Sequence, residues 1–189
     1  NASLYFKLFL IDRAQRQAEP LCSFVRSGAM HHAFQRHLRA NGKGINYEEL
    51  QDFDGAVLVL CGDMPLLRSE SLAALLEARS GEDMAMLTSF TDSPTGYGRI
   101  VRGEDGGLTK IVEERDASSD ERLIPEINSG VYAFGCAELL AYLGRLESQN
   151  DQGERYLTDV PGMYAAEGRE VALVELSDAD EGAGVNSLA

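Results

Sequence analysis

An aspartate that closes an unbroken apolar run is the first residue in this chain with an evident chemical use. Gly55 to Leu60 reads G-A-V-L-V-L and stops at Cys61-Gly62-Asp63. A carboxylate at such an exit, with Gly62 leaving room beside it, offers an oxygen seat to a hard cation such as Mg²⁺. A helix cap or a solvated turn is the other reading of the same residues. The P-T-G-Y-G-R segment at 94–99 puts small residues where backbone amides can approach a ligand closely, or else forms an ordinary hairpin turn. Glu113, ending one predicted strand, and Asn128, starting another, can hydrogen-bond the hydroxyls of a polar ligand such as a sugar; singly, each also fits a turn or a surface acid. His31 and His32 are adjacent, so on a helix they diverge and do not form a metal-binding i, i+4 pair. Cys61 has no sequence-local basic partner, which favours packing over nucleophilic chemistry.

The elements that must position these residues follow from periodicity. Residues 3–11 predict a strand ending near Ile11, and Met30, Phe34 and Leu38 share one face of a helix over 29–38. The continuous hydrophobicity of 55–60 marks a strand covered on both faces, as in a parallel sheet flanked by helices. Ser69 is placed to cap a helix over 70–79, with Leu72, Leu75 and Leu76 on its inner face, and 84–90 is the next buried strand. Together these form a β-α-β crossover. Short strands at 99–101 and 108–113 pair across a Gly-rich turn, a loop covers 114–124, and 127–134 is a further strand. A helix through Leu139, Leu140 and Leu143, a polar loop over 147–153, a helix capped by Thr158, a strand over 171–176 and an acidic tail complete the chain.

Composition narrows the function. The chain has 189 residues, 17 basic against 31 acidic, and a formal charge of −14. That balance disfavours a broad grip on a nucleic-acid polymer or an anionic bilayer. The charge is uneven: residues 1–45 carry seven basic and two acidic side chains, the rest ten and 29. No apolar run approaches the roughly 18 residues of a membrane span. Three scattered cysteines suit a reducing, cytoplasmic setting.

Six segments then occur in one order: L-C-G-D-M-P-L-L (60–67), P-T-G-Y-G-R-I (94–100), I-V-E-E-R-D-A (111–117), E-I-N-S-G-V-Y (126–132), Q-G-E-R-Y-L-T-D (152–159) and G-V-N (184–186). Together they resemble the uridylyltransferase domain of the bifunctional GlmU family, which makes UDP-N-acetylglucosamine. The similarity runs from about Gly55 to Asn186 and more faintly through Gln17-Ala18-Glu19. It implies an α/β, Rossmann-like nucleotide-diphospho-sugar transferase fold with a mainly parallel sheet, N-terminally incomplete. One partial nucleotidyltransferase domain over 1–189 is expected, divergent and basic over 1–54 and family-like over 55–189. The resemblance further implies that Asp63, the catalytic residue, and Asn186 bind Mg²⁺. Gly98, Glu113 and Asn128 would hold N-acetylglucosamine 1-phosphate, with Tyr156 and Thr158 near the sugar and its phosphate. Gln17 would contact uracil and Gly62 would line the cleft. The partners implied are UTP and N-acetylglucosamine 1-phosphate.

Three departures qualify it. Residues 1–16 contain nothing like the family's L-x-A-G-x-G-T-R-M phosphate cradle. The base-reading Q-A-E-x-L-G-T-G-H-A is here Gln17-Ala18-Glu19-Pro20-Leu21-Cys22 onward, and the trimerising hexapeptide-repeat domain has no counterpart after Asn186. Little turnover is expected of these residues alone, and an apolar sheet edge would be left uncovered by loss of a first parallel strand. A non-catalytic sugar-phosphate binding module and a nonfunctional fragment are the competing readings.

Overall fold

The computed structural model describes residues 6–12, for which the backbone is given, together with 53–61, 64–79, 83–146 and 156–182. The helix expected over 29–38 and the loop over 147–153 lie outside these residues. The elements in chain order are β1 (Phe6–Asp12), β2 (Gly55–Cys61), α1 (Ser69–Ala78), β3 (Met84–Phe90), β4 (Arg99–Arg102) and β5 (Leu108–Val112). A 3-10 turn at Glu121–Leu123 leads to β6 (Glu126–Gly135), followed by α2 (Cys136–Leu143), α3 (Asp159–Ala166), β7 (Val171–Glu175) and a second 3-10 turn at Ala179–Gly182.

The strands form one mixed sheet in the order β1-β2-β6-β3-β7, with β4 and β5 joined to the side of β6. β2, β3 and β7 run in the same direction, as an α/β crossover requires, but among the described residues only β3 and β7 are parallel neighbours. β6 lies between β2 and β3, antiparallel to both. The mainly parallel sheet is thus replaced by a mixed one. A strand covered on both faces reads as an unbroken apolar run whichever way it points, so strand direction leaves no mark on the pattern. β1 lies antiparallel along all of β2, from Phe6 opposite Cys61 to Asp12 opposite Gly55, so this edge of β2 carries a partner.

Alternation along the strands divides the interior into two cores. Val57, Val59, Met84, Met86, Tyr132 and Phe134 face α2 and α3, where they meet Leu139, Val160 and Tyr164. Ala56, Leu58, Leu60, Ala85, Leu87, Val131 and Ala133 face Leu72, Leu75 and Leu76 of α1. Each fully buried leucine of this kind contributes about 1.5–3 kcal/mol. α1 starts at Ser69 itself, with Arg68 at the capping position and no side-chain cap bond, so the cap expected from Ser69 does not form; its hydroxyl turns to Glu70. On the other face Tyr142 stacks on Tyr164 at 4.2 Å, and the guanidiniums of Arg145 and Arg169 sit over these rings at 5.1 and 4.6 Å. That stack ties α2 to α3.

The sheet carries an irregularity at its centre. Between the pairs Met86–Tyr132 and Thr88–Asn128 the β3–β6 register shifts, and the extra residues fall on β6 around Gly130. Gly130 has φ +76°, and a Cβ built there would stand 2.6 Å from the Cys61 sulfur. Gly130→Ala is expected to cost at least about 1–3 kcal/mol through the left-handed backbone alone. Adding Cys61→Ala should recover only the contact part. Denaturant unfolding of the single and double variants measures both.

Candidate functional site

Three of the sequence-predicted residues meet where β4, β5 and β6 end together. Register explains how: Arg99 pairs with Val112 in β5 and with Ile127 in β6, so Gly98, Glu113 and Asn128 become neighbours. The Gly98 carbonyl accepts the Asn128 N–H at 2.9 Å. A Cβ added at Gly98 would stand 3.5 Å from both Glu113 carboxylate oxygens and 3.0 Å from Ile111 Cγ2. Glycine keeps that approach open. Asn128 is fixed at both ends of its amide: Oδ1 accepts the Gly130 N–H at 3.0 Å, and Nδ2 donates to the Tyr132 hydroxyl at 2.6 Å. Burial pushes the Tyr132 phenol far above its ordinary range, the Asn128 bond opposes this, and the charges of Cys61 and Glu113 add to it. Tyr132 is a neutral partner that locks the Asn128 rotamer.

The 94–98 turn is held by a pair that sequence reasoning missed. Arg99 is 1% exposed and donates to Glu114 Oε2 at 2.6 Å, and the same oxygen accepts the Gly96 N–H at 3.1 Å. Arg99 also donates to the Tyr97 carbonyl, and Gly96 takes φ +91° within the turn. The two adjacent acids therefore have separate work: Glu114 braces the turn, and Glu113 faces Gly98. The clue available in the sequence was that each missed residue directly follows a predicted one. Below the turn, Lys110 pairs with Glu121 at 2.8 Å and its hydrogen bond brings that carboxyl down to about 2.

Tyr156 and Thr158 lie at the start of α3, where the Tyr156 carbonyl accepts the Asp159 N–H at 3.2 Å. Thr158 occupies the capping position in helical backbone, and its side chain makes no cap bond. The carboxyl of Asp159 is raised by burial first and then by the charge of Asp116, whose own N–H bonds the Glu113 carbonyl at 3.0 Å. α3 thus begins beside the turn that carries Glu113, and a Cβ built at Gly162 would rest in ordinary contact with the Thr109–Lys110 backbone at 3.6 Å. Gln17, Gly62, Asp63 and Asn186 lie outside the described residues. Among the described residues no group of three or more His, Cys, Asp or Glu is placed to hold a metal, and no helix is long and apolar enough to cross a membrane. The geometry offers a carboxylate acceptor, a rigid amide and a braced turn at one sheet end, a set suited to a neutral polyhydroxyl group.

No family model matches the chain. Among curated proteins it is 47% identical to the bifunctional protein GlmU of Corynebacterium efficiens over 158 residues, covering 82% of this chain and 32% of that protein. It is 50% identical to GlmU of Acidovorax ebreus over 136 residues (72% and 29%), and 43% identical to GlmU of Exiguobacterium sibiricum over 166 residues (86% and 37%). The chain spans about a third of the length of these relatives. A solved structure described as a glucose-1-phosphate thymidylyltransferase, from Bacillus anthracis, aligns at a TM-score of 0.43 and 17% identity, over 58% of this chain and 40% of that one.

The brace makes stability depend on pH. The Arg99 hydrogen bond, then the Gly96 amide, hold the Glu114 carboxyl below its ordinary 4.5. A lowered folded value gives stability that is complete above about pH 4.5 and is lost as pH falls through the folded value. Melting temperature should therefore fall less steeply from pH 5 to 3 in Glu114→Gln than in the parent chain. At pH 7 the same variant should exchange its Gly96 amide faster.

Proposed function

We propose that this chain, a relative of GlmU over about a third of that protein's length, is a sugar-1-phosphate nucleotidyltransferase domain acting on UTP and N-acetylglucosamine 1-phosphate. The observation that carries the reading is the convergence of Gly98, Glu113 and Asn128 at one sheet end. Glu113 accepts hydrogen bonds from sugar hydroxyls, Gly98 brings its backbone close, and Asn128, immobilised by Tyr132 and Gly130, keeps the floor rigid. Tyr156 and Thr158 approach the sugar and its phosphate from the α3 side, and Gln17 reads the base. Asp63, beside Gly62, and Asn186 would hold Mg²⁺; a carboxylate and an amide oxygen are the hard donors that ion prefers. When bound, the ion supplies charge neutralisation between two anionic substrates. The reaction is in-line attack of the sugar phosphate oxygen on the α-phosphorus of UTP with loss of pyrophosphate, which asks chiefly for positioning. The setting this implies is cytoplasmic.

A second reading, a sugar-phosphate binding module, needs only the cluster of Gly98, Glu113 and Asn128 that the described residues bring together. Two measurements separate them. Calorimetry should detect N-acetylglucosamine 1-phosphate, with Glu113→Ala weakening it at least tenfold; equal affinity in that variant would refute the assigned sugar site. Pyrophosphate release with Mg²⁺ should be measurable but well below the ~1–10³ s⁻¹ usual for enzymes. Sugar phosphate binding with no UTP binding and no release would select the binding module.

A further inference from the structure

Helix α1 receives its amino-terminal acceptor from a distant part of the chain. Its first N–H groups need partners, and Arg68 at the capping position supplies none from its side chain. Glu181, in the 3-10 turn Ala179–Gly182 and 1% exposed, does so instead. Its Oε2 accepts the Arg68 backbone N–H at 3.1 Å and the Ser71 hydroxyl at 2.6 Å. Oε1 lies 3.7 Å from Arg68 Nε. The Arg68 guanidinium also bonds Asp178 at 2.6 Å, and Asp178 shapes the turn by accepting the N–H groups of Asp180 and Glu181, each at 3.1 Å. The exposed Arg68–Asp178 pair contributes little. The buried carboxylate is the stronger link, because its loss leaves an N–H and a hydroxyl without acceptors in a dry place beside a helix amino end.

The two joined segments are the ones that lead to Asp63 and Asn186. Asp63 precedes Arg68 by five residues, and Asn186 follows Glu181 by five. In sequence the two are 123 positions apart, and closing so long a loop is entropically unfavourable. We propose that Glu181 is a positioning residue that pins the 3-10 turn preceding Gly184-Val185-Asn186 in sequence to the amino end of α1, which follows Gly62-Asp63, a role that rests on the proposed reading of Asp63 and Asn186 as metal ligands.

Hydrogen exchange on the 189-residue chain tests the link directly. In Glu181→Ala, amides in 64–72 and in 177–182 should exchange together at least tenfold faster, with 126–135 unchanged and Glu181→Gln intermediate. Ser71→Ala keeps the carboxylate and should accelerate both segments by a smaller factor, so the link remains decidable if Glu181→Ala does not fold. A response in one segment alone, or in neither, overturns the proposal. Mn²⁺ titration tests the positioning: Glu181→Gln should weaken binding at least fivefold, and parent-like affinity overturns it. A parent chain that binds no Mn²⁺ refutes the metal reading instead, and the exchange result still decides whether Glu181 joins the two segments.

Discussion

The architecture depends on one strand having complete backbone pairing in a place water does not reach. β6 is buried at all ten positions and borders β2, β3 and β4. Buried N–H and C=O groups must find partners, so a break in its ladder is tolerable only where something else takes over. At the bulge, side chains do. Ser129 Oγ donates to the Leu87 carbonyl at 2.8 Å, and Asn128 Oδ1 takes the Gly130 N–H. The constraint that lets β6 bend is therefore the one that freezes Asn128, and the rigidity of the candidate site is inherited from the demands of the core.

Electrostatics is organised by the same economy. In a chain of formal charge −14, two consecutive glutamates at one sheet end would repel, yet they are separated by function. Glu114 is taken up by Arg99 and lies near Arg122 at 3.8 Å, while Glu113 stays beside Gly98. Burying Arg99 so completely is offset by a carboxylate and a backbone carbonyl that receive N–H groups from its two terminal nitrogens, while its buried Nε has no hydrogen-bond partner among the described residues.

Much of this is legible in the sequence, with failures of a specific kind. β2 and β3 are readable from unbroken apolar runs, and the α1 face from Leu72, Leu75 and Leu76, because these patterns are local. The insertion of β6 between β2 and β3 is not, since burial on both faces erases strand polarity from the pattern. Ser69 reads as a cap because capping residues are judged by their near neighbours, whereas the acceptor sits at Glu181. Residue pattern names Gly98, Glu113 and Asn128 singly and only the family resemblance joins them, because their meeting depends on the Arg99–Val112 and Arg99–Ile127 registers. Arg99 and Glu114 carry no local signal beyond adjacency.

Placing β6 at the centre also sets a timetable for biosynthesis. A ribosome delivers β2 and β3 before the strand that must lie between them, so although β2 can already pair with β1, neither can settle on the neighbour they share until residue 135 has emerged. Until then two apolar ribbons wait with open edges, and the nascent chain is exposed to wrong partners for as long as translation of that interval lasts.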